Sequence, residues 1–319
     1  MTYAAAPFHH TSAGADQAAD AVWAYASDGV RLRLVEYSRG DAGTILMVPG
    51  RTEYLEKYGH IAQAFAHHGY GMVSLDIRGQ GLADRLVTDP MIGHVNDFAD
   101  YQRDIDTLVA FAKARKMPRP WFVIGHSLGG AIGLRTVMSG LEVQGAVFSA
   151  PMWGIAMPAV LRPVSWSLGW MAHRNELNSW LTPGMSRESY VQTCDLEDNL
   201  LTSDKPTLLQ MRAQILAQPG VGLGGPSMPW LYRALRECEV LKRIPNTPVS
   251  TLTFLPEREE IVCSKSIRAL TDRWDNATLI EVPGGRHETM METPDRQRLF
   301  IERCVGFFQT SGRAMAAAQ

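Results

Sequence analysis

The stretch Trp121-Phe122-Val123-Ile124-Gly125-His126-Ser127-Leu128-Gly129 decides how this chain folds. An apolar run leads into a serine flanked by glycines, and small residues then begin a predicted helix over 128–138. Strand, sharp turn and helix with serine at the apex form the G-x-S-x-G nucleophile elbow. Glycine is needed beside the serine because the turn is strained and brings backbone segments close together. The pattern predicts that Ser127 is a nucleophile and that the Leu128 N–H points at the same reacting centre.

Strand and helix patterns alternate along the rest of the chain. Short apolar or alternating runs predict strands at residues 30–37, 44–48, 71–75, 121–124, 145–149, 249–254 and 277–282. Helical spacing of apolar residues predicts helices at 54–68, 98–115, 128–138, 264–274 and 294–308. This alternation predicts an α/β fold with a mostly parallel, doubly wound sheet covered by helices on both faces.

The alternation stops between Pro151 and about Arg243, a stretch that contains five of the eight tryptophans. We expect an inserted helical cap at 152–243, and a core formed by 21–151 together with 244–319. An insertion at this point lies over the carboxyl ends of the strands, where open α/β sheets bind ligands. Its tryptophans and methionines either form the core of the cap or line a surface for a long apolar ligand.

Composition excludes several classes of protein. The net charge of −2 offers no electrostatic basis for binding nucleic acid, and four scattered cysteines suggest neither a zinc site nor disulfides. We predict no metal or cofactor. The alanine-rich residues 1–20 resemble no signal peptide and are expected to be a disordered tail. Without a long apolar span, the expected location is the cytoplasm, with transient contact with the surface of the inner membrane.

A serine hydroxyl is a weak nucleophile and needs a base to take its proton. In chains with this elbow, an acid and then a histidine follow the serine in the sequence. Only two histidines follow Ser127. His173 lies in the predicted cap, whereas His287 lies on a glycine-containing loop just after the predicted strand 277–282. We therefore predict that His287 is the base.

The acid should follow the predicted strand 249–254, where three glutamates compete. Glu259 is favoured because it lies three residues before Val262, the start of the following helical region. Glu257 and Glu260 remain alternatives. A glutamate can hold the imidazole tautomer and stabilise the imidazolium without being protonated itself.

Attack by the serine gives a negatively charged tetrahedral intermediate, which needs hydrogen-bond donors. Two backbone amides are predicted to donate to it and so form an oxyanion hole. One is the Leu128 N–H, and the other should come from the loop after the predicted strand 44–48. We assign it to Arg51, because Gly50 permits the turn that points the next amide inward.

The chain resembles the bacterial lysophospholipase and monoacylglycerol lipase family of α/β-hydrolases from about Val30 to Phe308. Its most specific segments are Pro49-Gly50-Arg51-Thr52-Glu53-Tyr54, Asp76-Ile77-Arg78-Gly79-Gln80-Gly81, Gly93-His94-Val95-Asn96 and Gly224-Gly225-Pro226-Ser227. The resemblance implies hydrolysis of a single acyl ester on glycerol by Ser127, an acid and His287, under a cap that covers an acyl tunnel.

The resemblance also has departures and leaves alternatives. The family usually has glycine at Pro256 and aspartate at Glu259, an alignment that also favours Glu259 as the acid. A general small-ester hydrolase and an acyltransferase are the nearest alternative functions. A receptor that has the same fold but no activity is the alternative from another class, because one fold hosts many functions.

Overall fold

A single nine-stranded sheet organises the chain. The computed structural model describes residues 3–16 and 18–316, and of residues 312–316 only the backbone. The strands are Ala4–Ala5 (β1), Asp20–Tyr25 (β2), Arg31–Asp41 (β3), Gly43–Val48 (β4), Tyr70–Asp76 (β5), Trp121–His126 (β6), Gly145–Ser149 (β7), Thr251–Pro256 (β8) and Ala277–Val282 (β9). Their order is β1-β2-β3-β5-β4-β6-β7-β8-β9. The pairs from β1 to β5 are antiparallel, and those from β5 to β9 are parallel.

The structure contains ten α-helices among the described residues. They are His10–Ala13 (α1), Gly59–Ala66 (α2), Asp100–Ala114 (α3), Leu128–Met138 (α4), Leu161–Arg174 (α5), Tyr190–Thr193 (α6), Lys205–Ala217 (α7), Met228–Leu241 (α8), Ser264–Thr271 (α9) and Pro294–Ala316 (α10). Of these, α2, α3, α4 and α9 each connect two strands of the parallel part of the sheet. Short 3-10 helices span Leu55–Tyr58, Pro219–Val221 and Thr289–Met291. Among the described helices, none combines the length and the apolar character that crossing a bilayer requires.

The sheet separates two hydrophobic cores. In β4, Leu46 and Val48 point into a core formed with α3, α4 and α9, whereas Ile45 and Met47 point into a core formed with α2 and α10. Successive side chains of a strand face opposite sides of the sheet, so a strand buried on both faces is apolar at every position. The predicted doubly wound, mostly parallel α/β architecture is confirmed.

The N-terminal segment differs from the expectation of a disordered tail over residues 1–20. Ala4–Ala5 pairs with β2, and α1 lies against the 3-10 helix Leu55–Tyr58. The Pro7 carbonyl accepts a hydrogen bond from the buried Arg33 guanidinium at 2.9 Å, and the Ser12 carbonyl accepts one from Gln214 of α7 at 2.7 Å. These long-range bonds hold the segment against the core and against α7. Residues 1, 2 and 17 lie outside the described residues.

The insertion between β7 and β8 contains α5 to α8. Two of its five tryptophans belong to the main core: Trp153 packs on Phe148 and Trp274, and Trp230 packs on Phe98. Trp166 and Trp180 pack around a small core of the insertion itself, formed by Ala172, Met228, Leu231 and Leu235. Trp170 is half exposed. Four of the five tryptophans are thus structural.

The helix after the elbow approaches the sheet so closely that side chains cannot be accommodated. A Cβ atom on Gly129 would lie 2.0 Å from the Val48 carbonyl oxygen, and one on Gly125 would lie 2.4 Å from the Gly129 carbonyl oxygen. Both obstacles are backbone atoms, which cannot turn aside as a flexible side chain can. Glycine is therefore required at both positions.

We expect Gly129→Ala to lower the free energy of unfolding by about 3 kcal/mol or more, because overpacking against backbone forces a shift of β4 or α4. Gly306→Ala is the matched control, since Gly306 lies in α10 with nothing near its added Cβ, and alanine favours a helix by about 0.5–1 kcal/mol. Urea unfolding measures both. Equal stability of the two variants would contradict this account of the elbow.

Candidate active site

Ser127 has a strained backbone that is held from two sides. Its φ of 50° and ψ of −114° are unfavourable for a residue with a side chain. The Ser127 N–H donates to the Ser149 carbonyl at the end of β7 at 3.0 Å, and the Ser127 carbonyl accepts from the Met152 N–H at 2.8 Å. The neighbouring strand thus fixes the turn that presents the serine between β6 and α4. This is the geometry that the sequence motif predicts.

His287 and Glu259 form a hydrogen-bonded pair. The His287 Nδ1 lies 2.8 Å from the Glu259 Oε2, and both side chains are buried. The His287 ring also lies against the ring of His126, the residue before Ser127, with 4.9 Å between the ring centroids. The structure therefore brings His287 to the elbow with its Nδ1 already engaged, which leaves its Nε2 for other chemistry.

Glu259 is held as a carboxylate. Its Oε1 accepts from the N–H groups of Ile261 and Val262 at 2.7 and 2.9 Å. Burial by itself would raise the pKa of Glu259, but His287 and these two amides outweigh it, so that the pKa of Glu259 is lowered. A negative charge is thereby kept beside His287.

The other two glutamates of this loop lie elsewhere. Glu257 is exposed and accepts a hydrogen bond from the Gly284 N–H at 2.6 Å. Glu260 is also exposed. Of the three carboxylates that the sequence left open, the structure thus places Glu259 against the histidine.

The two backbone amides predicted to form the oxyanion hole have no hydrogen-bond partner among the described residues. Among the described residues, the N–H groups of Gly50 and Thr52 donate to the side chains of Glu53 and Gln80, whereas the Arg51 N–H between them donates to none. The Leu128 N–H belongs to the first residue of α4, and the first amides of a helix have no partner within it. Free, fixed donors of this kind suit a developing oxyanion.

A buried ion cluster, formed by Glu53, Lys57, His126 and Glu288, lies behind these groups. The Lys57 ammonium contacts the Glu53 carboxylate and lies 2.6 Å from the Glu288 Oε1. Glu53 also accepts hydrogen bonds from the Gly50 N–H and the Tyr58 hydroxyl. The cluster therefore links the loop that carries Arg51 to the loop that carries His287.

His126 is the second basic group of the ion cluster. Its Nδ1 lies 3.1 Å from the Ser149 carbonyl oxygen, and its Nε2 lies 3.3 Å from the Glu288 Oε2. Both ring nitrogens thus face acceptors, which favours the doubly protonated ring. Burial alone would lower the pKa of His126, but Glu288 and Glu53 raise it. Burial would likewise raise the pKa of Glu288, yet Lys57 and His126 bring it well below its usual range.

Three groups of the cluster are close enough together to hold a metal ion, namely Glu53, His126 and Glu288. The Lys57 ammonium already contacts both of these carboxylates. Both carboxylates thus already have a basic side chain of the protein as a partner, and Glu288 also faces the His126 ring.

Sequence reasoning did not identify the ion cluster. Glu53 belongs to a segment that carries the family resemblance, Lys57 lies in the predicted helix over 54–68, and His126 is the variable position before Ser127 in the elbow. Glu288 directly follows His287 in the sequence. The one available signal was that charged residues adjoin each predicted reactive residue, but their pairing joins positions 231 residues apart.

We expect Lys57→Met to lower the free energy of unfolding by about 3–5 kcal/mol, because it leaves two buried carboxylates without their ammonium. Lys113→Met is the matched control, since Lys113 is exposed on α3 and should change stability by less than about 0.5 kcal/mol. Urea unfolding at neutral pH compares the two. A Lys57 variant as stable as the control would show that the cluster does not hold the loops together.

Known proteins resemble this chain over most of its length. It is 26% identical over 295 residues to lysophospholipase L2 of Escherichia coli strain K12, covering 88% of this chain and 83% of the relative. It is 28% identical over 273 residues to a probable lysophospholipase L2 of Haemophilus influenzae, covering 83% and 82% of the two chains.

Solved structures share the fold at low identity. A soluble variant of monoglyceride lipase from Saccharomyces cerevisiae, in complex with a substrate analog, has a TM-score of 0.70 at 19% identity, covering 91% of this chain and 94% of that one. The monoacylglycerol lipase of Paleococcus ferrophilus has a TM-score of 0.69 at 18% identity, covering 88% and 99%. These likenesses establish the α/β-hydrolase fold. The family model described as serine aminopeptidase, S33, matches residues 40–294, so the protein belongs to this family of serine hydrolases.

Proposed function

We propose that this protein is a serine carboxyl-ester hydrolase that cleaves the single acyl ester of lysophospholipids or monoacylglycerols. The observation that carries the proposal is the strained Ser127 together with a His287 that contacts the adjacent His126 ring and whose Nδ1 is already paired with Glu259. The names of the curated relatives support the substrate class, since they are lysophospholipases.

In this mechanism the Ser127 hydroxyl attacks the ester carbonyl while the His287 Nε2 takes the proton. The N–H groups of Leu128 and Arg51 stabilise the oxyanion. His287 then returns the proton to the glycerol oxygen, which leaves an acyl group on Ser127. Water, activated by the same imidazole, releases the fatty acid. Glu259 fixes the tautomer of His287 and stabilises the imidazolium throughout.

The alternatives differ in what they require of this site. A general small-ester hydrolase uses the same residues with a different leaving group. An acyltransferase needs an alcohol to replace water at the second step. A receptor needs no acid beside the histidine, so the Glu259–His287 pair, held by two backbone amides, favours an enzyme.

The division into a core of residues 21–151 with 244–319 and a cap of residues 152–243 fits this function. The isolated bridge between Gly93 and Pro226 joins the cap to the core near the candidate site. In this proposal, residues of the cap determine the substrate specificity, and residues of the core catalyse the reaction.

Transient contact with the cytoplasmic face of the membrane belongs to the same proposal. The start and outer side of α5 present apolar side chains to solvent, with Val160, Leu161, Val164, Trp170 and Met171 all at least 40% exposed. Contiguous exposed apolar surface marks interaction sites, and the proposed substrates reside in bilayers.

Ser127→Ala should reduce fatty-acid release by about 10⁴-fold or more, because it removes the nucleophile without changing the fold. The assay measures release from a lysophospholipid and from a monoacylglycerol with the same acyl chain.

Glu259→Gln should reduce the rate by about 10⁴-fold, since a neutral amide no longer stabilises the imidazolium.

Glu257→Gln is the control for the acid, because Glu257 lies on the same loop but contacts Gly284 rather than His287. Its activity should stay close to that of the wild type. Full activity of folded Ser127→Ala protein would overturn the proposed function, and a loss in Glu257→Gln as large as in Glu259→Gln would overturn the choice of acid.

Val160→Asp combined with Val164→Asp should lower the fraction of protein bound to vesicles by about tenfold or more, because binding of this variant no longer transfers two apolar side chains from water to the membrane. Sedimentation with phosphatidylethanolamine and phosphatidylglycerol vesicles measures this. Leu216→Asp is the control, a change of an exposed apolar residue on α7. Equal binding by wild type and the double variant would exclude α5 as the contact surface.

A further inference from the structure

Arg51 carries a guanidinium as well as the proposed oxyanion N–H, and the two groups serve different parts of the site. The side chain leaves the loop after β4 and reaches the cap, where its Nη1 donates to the Gly224 carbonyl at 2.9 Å. The guanidinium carbon lies 5.8 Å from the centroid of the Trp230 ring. This cation thus lies at the seam between core and cap.

The other buried arginines of the core are neutralised by carboxylates. Arg33 contacts Glu56 and Asp76, and Arg78 contacts Asp28 and Asp104. Arginine is almost never buried in proteins unless it is paired, because an isolated charge is costly to remove from water.

Arg51 departs from this rule. Within the residues whose side chains are described, no carboxylate lies within ion-pair distance of its half-buried guanidinium, and the Gly224 carbonyl is its one hydrogen-bond acceptor. Burial without a counter-charge lowers the pKa of Arg51 to about 10, although the group remains a cation at neutral pH. Most of its five N–H donors are therefore free for an anion.

The position of this cation matches one anionic group of the proposed substrates. The phosphate of a lysophospholipid is separated from the ester by one glycerol unit, a span comparable to an arginine side chain. An ester oxygen at the Arg51 N–H therefore brings the phosphate within reach of the guanidinium of the same residue. A monoacylglycerol has a hydroxyl where the phosphate would be.

A second cation, Arg85 of the core, contacts the cap segment that leads to Gly224. The Arg85 Nη2 donates to the carbonyls of Gly220 and Gly222 at 2.9 and 3.3 Å, and its Nη1 has no partner among the described residues. Like Arg51, it is held by backbone carbonyls rather than by a carboxylate. Arg85 therefore adds to the positive potential at the seam.

We propose that the Arg51 guanidinium binds the phosphate of a lysophospholipid headgroup while the Arg51 N–H donates to the ester oxyanion, an inference that rests on the function proposed above. Guanidinium binds phosphate through parallel hydrogen bonds, which lysine cannot reproduce. The Trp230 ring lies within cation–π distance of the guanidinium. The enzyme would thereby prefer lysophospholipids to monoacylglycerols.

The test compares kcat/KM for palmitoyl-lysophosphatidylcholine with that for monopalmitoylglycerol in the same detergent micelles. In Arg51→Gln the ratio should fall by about 10–100-fold, the usual effect of losing a hydrogen bond to a charged group. The backbone N–H persists in this variant. Most of the change should appear in KM for the lysophospholipid, because the phosphate is remote from the bond that breaks. Arg51→Lys should restore part of the ratio.

Arg187→Gln is the matched control, since Arg187 is an exposed cap residue that is paired with Asp89 at 2.7 Å. It removes the same charge and should leave the ratio unchanged. An Arg51→Gln variant that loses activity equally on both substrates overturns the proposal, because it assigns the residue to the oxyanion loop alone.

Binding to inactive protein separates this inference from the proposed function. Calorimetry with Ser127→Ala should detect binding of lysophosphatidylcholine that weakens by about 10–100-fold when Arg51→Gln is added. Absence of turnover by the wild type would contradict the proposed function, and the binding result would still test the phosphate site.

Inorganic phosphate is the second probe. If it binds at Arg51 while both lipids bind equally well with and without the guanidinium, the site takes free phosphate and the proposal fails.

Discussion

The contact of the Lys57 ammonium with two buried carboxylates is the interaction on which the candidate site depends. Glu53 belongs to the loop that carries Arg51, Glu288 follows His287 directly, and His126 precedes Ser127. Burying charges is favourable only when each has its partner, so the cost of desolvation is offset only after all three loops have come together. The geometry of the reacting groups is thereby tied to the completion of the fold.

The elbow and the ion cluster position different parts of the candidate site. Close approach of Gly129 to β4 forces the strained turn at Ser127, and the carbonyl and amide of neighbouring segments hold it there. The ion cluster then fixes the positions of the loops on either side of that turn. Strain of this kind persists only where the surroundings over-determine the conformation, as the two bonds from Ser149 and Met152 do here.

Much of this arrangement could be predicted from the sequence because its signals are local. The elbow, the alternating elements and the position of His287 depend on neighbours along the chain. The choice among three glutamates rested on a spacing of three residues, and Glu259 is the one that contacts His287. The ion cluster and the order of the N-terminal segment could not be predicted in this way. Their residues form ordinary surface patterns, and only partners far along the chain bury them.

The N-terminal segment has a consequence for the position of α7. The Ser12 carbonyl accepts hydrogen bonds from Gln214 and Gln210 of α7, while the preceding Pro7 is bonded to Arg33 of the core. One short segment thus joins α7 to the core. Any displacement of α7 from the core has to stretch or break these bonds, so the N-terminal segment restrains the position of α7.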